Sequence, residues 1–165
     1  MNQSYDPGNR YSCPYFWGTV GILYDKTVVD EADLKDGWNL LCNPKYKGNI
    51  YMYDSERDSF MIALKALGYS MNTTNESEIE EAYQWLIDQR DTMDPIYAGD
   101  DVIDNMISGN KALAVVYSGD ASYIISEIRI WTTLHRNREP TDGMMQWLSQ
   151  RTAAKYSLPM NLLIL

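Results

Sequence analysis

Four residues on two short stretches could carry chemistry. Asp54, Ser55 and Asp58 lie within "YDSERD", and Tyr117 opens "YSGDAS". A carboxylate offers an organic ammonium charge-assisted hydrogen bonds, and an aromatic face adds cation–π attraction. These residue types suit the binding of a cation. Catalysis has less material. "YSGDAS" is not a G-x-S-x-G elbow, and the single histidine, His135, lies beyond both stretches. Glu56 and Asp58 are an acid pair by type, yet two positions apart on a helix they point to different sides. There is no Gly-rich phosphate loop, and the two cysteines, Cys13 and Cys42, match no metal spacing. No catalytic residue, metal or cofactor is therefore expected, and the cysteines are expected as buried free thiols. Each acid also has a purely structural role open to it, because the helix dipole favours a carboxylate in the first turn.

Both stretches sit where a strand hands over to a helix. "NIYMYD" (residues 49–54) is a short apolar strand. It runs straight into "SERDSFMIALKALG", where Phe60, Ala63, Leu64 and Leu67 share a helical face and Gly68 closes the helix. "ALAVV" (residues 112–116) reads as a buried strand, followed by a turn at Ser118–Gly119 and the start of a helix. Between them, "NTTNESEIEEAYQWLIDQRD" is a helix capped by Thr74 or Asn75, with Ile79, Ala82, Tyr83 and Leu86 as its buried stripe. "PIYAGD" is a further short strand, and "DDVIDNMISGNK" a helix stopped by Gly109. Upstream, Thr19–Tyr24 is a strand, and a short helix lies around Gly37–Cys42. Alternation of this kind predicts an α/β layer with a mostly parallel sheet, in which ligands bind at the carboxyl ends of the strands.

The charge is uneven along the 165 residues, which carry a net −9. Residues 1–127 hold −12 and residues 128–165 hold +3. So acidic a body repels phosphates, which argues against a nucleic-acid partner and is compatible with a cationic one. Thirteen tyrosines against two phenylalanines supply rings with polar tips, useful in wet clefts. The opening "MNQSYDPGNR" has no apolar segment of the signal-peptide kind. A small acidic interaction module without a small-molecule ligand fits these features as well.

Three longer stretches discriminate further. "YSCPYFWGTVGILYD", "NPKYKGNIYMYDSERDSFMIALKALGYSMNTTNESEIEEAY" and "MISGNKALAVVYSGDASYIISE" resemble the spermidine/putrescine-binding proteins of ABC transporters, nearly without a break from about Tyr5 to Glu127. The resemblance implies a type II periplasmic-binding fold, two α/β lobes joined by hinge strands with a polyamine clamped between them. It implies that residues 1–18 end the first lobe and enter the hinge, and that residues 19–127 form the second α/β lobe. The chain is then a fragment, mainly the second lobe. Its parent is periplasmic or at the cell surface, and hands a polyamine to an ABC permease. The family's D-x-x-E after "YKG" falls on Ser55-Glu56-Arg57-Asp58. Asp58 keeps an acid, Ser55 replaces the other, and Asp54 is a candidate substitute. The family's W-N-G becomes Tyr117-Ser118-Gly119, which keeps a ring with a weaker cation–π face.

Residues 128–165 do not continue the resemblance. Restoring one A in codon 127 converts the following bases, under one permitted choice of codons, to a run reading ENTNMDYFTPEQGT. Shifting the codons of Asp142–Thr152 by one base permits W-x-D-A-(M/V)-V-I-P-K-N, the family motif missing from that place. The tail is thus expected to be an out-of-frame translation rather than a native domain, with no selected role for Trp131, His135 or Trp147; a divergent native tail is the alternative. A truncated product of this sort is expected to bind poorly by itself.

Overall fold

Leu113-Ala114-Val115-Val116 is apolar at every position, the pattern of a strand covered on both faces, and it lies at the centre of the sheet. The computed structural model describes residues 7–8, 10–11, 18–109, 111–128 and 131–134. Five strands run β1 Val20–Asp25, β2 Ile50–Tyr53, β3 Ile96–Ala98, β4 Leu113–Tyr117 and β5 Trp131–Leu134. Four helices accompany them: α1 Glu56–Leu67, α2 Glu76–Met93, α3 Val102–Ile107 and α4 Ser118–Glu127. All belong to one compact unit, Val20–Met144. Most of the expected first-lobe segment, together with Cys13, His135 and Trp147, lies outside the described residues.

The sheet order is β3-β2-β4-β1-β5. β2 pairs in parallel with both β3 and β4, while β1 is antiparallel to β4 and β5. The fold is therefore α/β with a parallel centre. That centre brings the carboxyl ends of β3, β2 and β4 to one edge.

Side-chain alternation splits the core into two layers. Ile22, Ile50, Met52, Leu113 and Val115 face the layer holding Leu40, Leu41, Met61, Ile62 and Met93. Leu23, Tyr51, Ala114 and Val116 face Val102 and Met106 of α3 and Ala121 and Ile124 of α4. Each fully buried aliphatic side chain contributes about 1.5–3 kcal/mol relative to exposure, so both layers matter for stability.

The boundary residues of α1 behave as their chemistry dictates. Ser55 caps its N-terminus in extended conformation, and Gly68 ends it at φ 87°, a left-handed conformation that favours glycine. Gly109 does the same after α3, at φ 74°.

Four local expectations differ from what forms. The short helix around Gly37–Cys42 is a longer 3-10 segment, Glu31–Cys42, broken by Gly37 at φ 60°, ψ −125°. No separate turn precedes α4, which begins at Ser118 directly after β4. On α2, Ile79 and Tyr83 are 37% and 48% exposed, so they are not part of a buried stripe. The helix instead turns Ala82, Gln89 and Met93 inward, with Trp85 and Leu86 half-buried. The reason is its seat: α2 packs on α1 and on the 3-10 segment, where the Gln89 amide donates to the Leu41 carbonyl at 3.3 Å. Leu67 of α1 is similarly 36% exposed, whereas Ala63 and Leu64 are buried.

Candidate functional site

The end of β2 is held in place before any ligand group is considered. The Asp54 amide donates to the Ala98 carbonyl at 3.0 Å, tying the end of β2 to that of β3. The Ser55 amide donates to the Tyr53 carbonyl at 2.9 Å, turning the chain into α1. The Ser55 hydroxyl then accepts from the Asp58 amide at 3.4 Å, and the Ser59 hydroxyl donates back to the Tyr53 carbonyl at 3.3 Å. These bonds fix the first turn of α1 and, with it, the carboxylate of Asp58.

Asp58 is 3% exposed. Its Oδ2 accepts from the Tyr117 hydroxyl at 2.8 Å, across from the end of β4. Its Oδ1 is buried and has no hydrogen-bond partner. A buried carboxylate oxygen left unpaired is costly, and in native structures such a group meets a ligand, an ion or an ordered water. The rings of Tyr53 and Tyr117 meet edge to face, centroids 4.7 Å apart at 63°. Tyr53 ends β2 and Tyr117 ends β4, so the parallel topology itself produces the pair.

The electrostatics are one-sided. Burial, followed by the hydrogen bond to Asp58 and its charge, raises the pKa of Tyr117. Tyr53 is raised by burial and then by Asp100, with smaller effects of Asp120 and Asp58, while its hydrogen bond with Tyr117 opposes. Burial and the charge of Asp100 also push the Asp120 carboxyl upward, against a backbone hydrogen bond at Tyr117. Among the described residues, the ion pairs are Lys45 with Asp30 and Asp33, and Arg90 with Asp91. None reaches Asp58, Asp100 or Asp120. The same residues contain no group of three or more His, Cys, Asp or Glu placed to hold a metal.

Of the four candidates, the structure brings Asp58 and Tyr117 together. Ser55 is at the site but uses its hydroxyl as a helix cap. Asp54 is exposed, and the fold engages its backbone. Glu56 points to solvent while Asp58 is buried, as their spacing requires. Three contributors were not anticipated: Tyr53, Asp100 and Asp120. Tyr53 directly precedes Asp54, and a strand-end tyrosine next to an acid was the available signal. Asp100 and Asp120 carried no signal of their own, because they meet only through sheet order. Cys42 is a free thiol and only half-buried; burial and then the Asp88 charge push it up to about 11.

Known proteins resemble this chain in sequence and in fold. The profile of the bacterial extracellular solute-binding protein family matches residues 2–153. The spermidine/putrescine-binding periplasmic protein of Escherichia coli is 36% identical over 123 residues, 73% of this chain and 34% of that protein. A putrescine/cadaverine-binding protein of Pseudomonas aeruginosa is 32% identical over 128 residues, 73% of this chain and 35% of its own. A spermidine/putrescine ABC transporter substrate-binding protein from Streptococcus pneumoniae superposes with a TM-score of 0.70 at 37% identity, covering 81% of this chain and 40% of that one. The chain thus spans about a third of the length of the curated relatives it matches. These are substrate-binding proteins of transport systems, which is not an enzyme class. With a profile match over most of its length and relatives of this identity, the chain belongs to the bacterial extracellular solute-binding protein family.

Proposed function

We propose that this chain is the second-lobe part of an extracytoplasmic polyamine-binding protein, and that its site holds an ammonium group of putrescine or spermidine. The observation that carries this reading is the Asp58 carboxylate: buried, anchored through Oδ2, and unpartnered at Oδ1 beside two tyrosine rings. An ammonium donating to Oδ1 would satisfy that oxygen, neutralise the charge and lie against aromatic surface. A neutral ligand would do only the first. The names of the relatives support the choice of a polyamine over other cations.

In the whole protein, a facing lobe would close over the ligand, and the closed form would deliver it to an ABC permease from the periplasm or the cell surface. Residues 19–127 are the lobe on this reading, and residues 128–165 an out-of-frame tail. Pairing of residues 131–134 with β1 is through the backbone, which many side-chain sets accept. Resequencing the coding DNA through codon 127 tests the tail: an open frame lacking the hidden motif removes that part of the proposal.

Binding is tested by calorimetry on the complete gene product that contains this chain. Titration with putrescine and spermidine should show saturable binding that D58N weakens about 100-fold. Absence of binding by the unaltered protein would sink the polyamine reading. The chain on its own, with one lobe, is expected to bind far more weakly.

A further inference from the structure

We propose that Asp100 and Asp120, on the segments that follow β3 and β4, form a second anionic subsite beside Asp58 and make a second ammonium group on the ligand a requirement for tight binding. The inference rests on the reading of Asp58 as an ammonium site and deepens it.

The topology places the parts. β3, β2 and β4 are parallel neighbours, so Asp100, Tyr53 and Asp120 emerge at one edge of the sheet. Tyr53 is opposite Ala98, the last residue of β3, and Asp100 follows two residues later. Asp120 is in the first turn of α4, three positions after Tyr117. The Tyr53 ring is edge-on to Tyr117, whose hydroxyl reaches Asp58. One pair of rings therefore has a buried acid on one side and two further acids at its rim.

The charges support the same arrangement. Asp100, Asp120 and Asp58 all act on Tyr53, and Asp100 acts on Asp120. A cation near Asp100 and Asp120 would offset the cost that Asp100 adds to the ionisation of Asp120, and no ion pair among the described residues supplies one. Asp58, a residue 97% buried with its Oδ1 unpartnered, independently offers a carboxylate oxygen to a cation beside the same pair of rings.

Chain chemistry explains why the second charge is there. Ser55 has no charge to offer, and its hydroxyl caps α1. Asp58 is the buried acid at this end of α1, with Glu56 and Asp54 exposed, and by itself it would neutralise a single ammonium. Asp100 and Asp120 restore negative charge from adjacent segments instead. A linear diamine could then place one ammonium at Asp58 and the other at the rim, its methylenes along Tyr53 and Tyr117.

The test uses the complete gene product and two probes, 1,4-diaminobutane and n-butylamine, with affinities measured by direct and competitive calorimetry. In the D100N/D120N variant the diamine-to-monoamine affinity ratio should fall about tenfold or more, as expected for loss of a charge-assisted contact, with n-butylamine affinity within about twofold of the parent. An unchanged ratio overturns the second subsite and leaves the polyamine reading intact. Equal loss of both probes also overturns it, since the acids would then act only as a diffuse field. An unaltered protein that binds neither probe overturns both readings. Thermal unfolding of the ligand-free variant should be no lower than that of the parent. If the double variant fails to fold, D100N at its exposed position is read the same way.

Discussion

Two clusters in this lobe are built from the same parts and end in opposite electrostatic states. In one, the Tyr46 hydroxyl donates to Asp33 Oδ2 at 2.7 Å, and Lys45 contacts both Asp30 and Asp33. In the other, the Tyr117 hydroxyl donates to Asp58 Oδ2 at 2.8 Å, with Asp100 and Asp120 nearby and no ion pair among the described residues. The hydrogen bond from Tyr46, helped by Lys45, holds the Asp33 carboxyl below the usual carboxylate range. Burial and Asp100 hold the Asp120 carboxyl above it. The first cluster is complete within the chain. On the proposed reading the ligand supplies the cation of the second, which is what would separate a structural acid cluster from a binding site.

Removing the central acid of each cluster should give the widest separation. In the complete protein, D58N should weaken polyamine binding by about 100-fold, within the roughly 2–5 kcal/mol seen when one partner of a buried charge pair is removed. D33N should leave affinity unchanged, because its cluster already has its cation. Calorimetry on the two variants decides. Comparable losses in both would end the distinction between the clusters.

The tyrosines should come next. Y117F deletes the only donor described for Asp58 and leaves both carboxylate oxygens unpaired, at a cost of about 1–3 kcal/mol in ligand-free stability. Y46F should cost less, about 0.5–1.5 kcal/mol, because Lys45 still serves Asp33. Denaturant unfolding at neutral pH measures both. The pH axis adds a sign. The Tyr117 pKa is raised in the folded state, so its contribution is intact below about pH 10 and is lost as the pH climbs through the raised value. Y117F should therefore flatten part of the alkaline decline, with Tyr53 and the other raised tyrosines accounting for the rest.

The contrast between the clusters also shows what a sequence can and cannot disclose. Ser55 and Gly68 bracket α1 because capping chemistry is local, and Leu113–Val116 announces a doubly covered strand because burial on both faces removes polar positions. Asp58 and Tyr117 were legible as strand-end chemistry, aided by family resemblance. Their contact spans 59 positions and depends on β4 lying beside β2, which no local pattern encodes. Asp100 and Asp120 fall outside the sequence reading for the same reason. The α2 stripe failed differently. Periodicity gave a helix correctly, but the inward face was set by α1 and the 3-10 segment, which rotated Ile79 and Tyr83 toward solvent and Gln89 inward.

The smallest effect is also the one whose sign is least intuitive. Because the folded-state pKa of Asp120 is raised, its ionisation costs stability once the pH exceeds the ordinary carboxylate range. D120N should thus stabilise the ligand-free protein at pH 7, by no more than about 1 kcal/mol after solvent screening, and the gain should vanish below about pH 4, where both states are protonated. D33N should behave in the opposite sense. Asp33 has a lowered pKa, so its stabilisation is present above the unfolded value and is lost as the pH falls through the folded one. A saturating diamine should then reverse the order at position 120 alone: with ligand bound to the complete protein, D120N should melt below the parent, since the parent binds more tightly and gains more from mass action. Thermal unfolding with and without 1,4-diaminobutane measures this crossover. Its absence would place Asp120 with the self-contained acids of the Lys45 cluster rather than with Asp58.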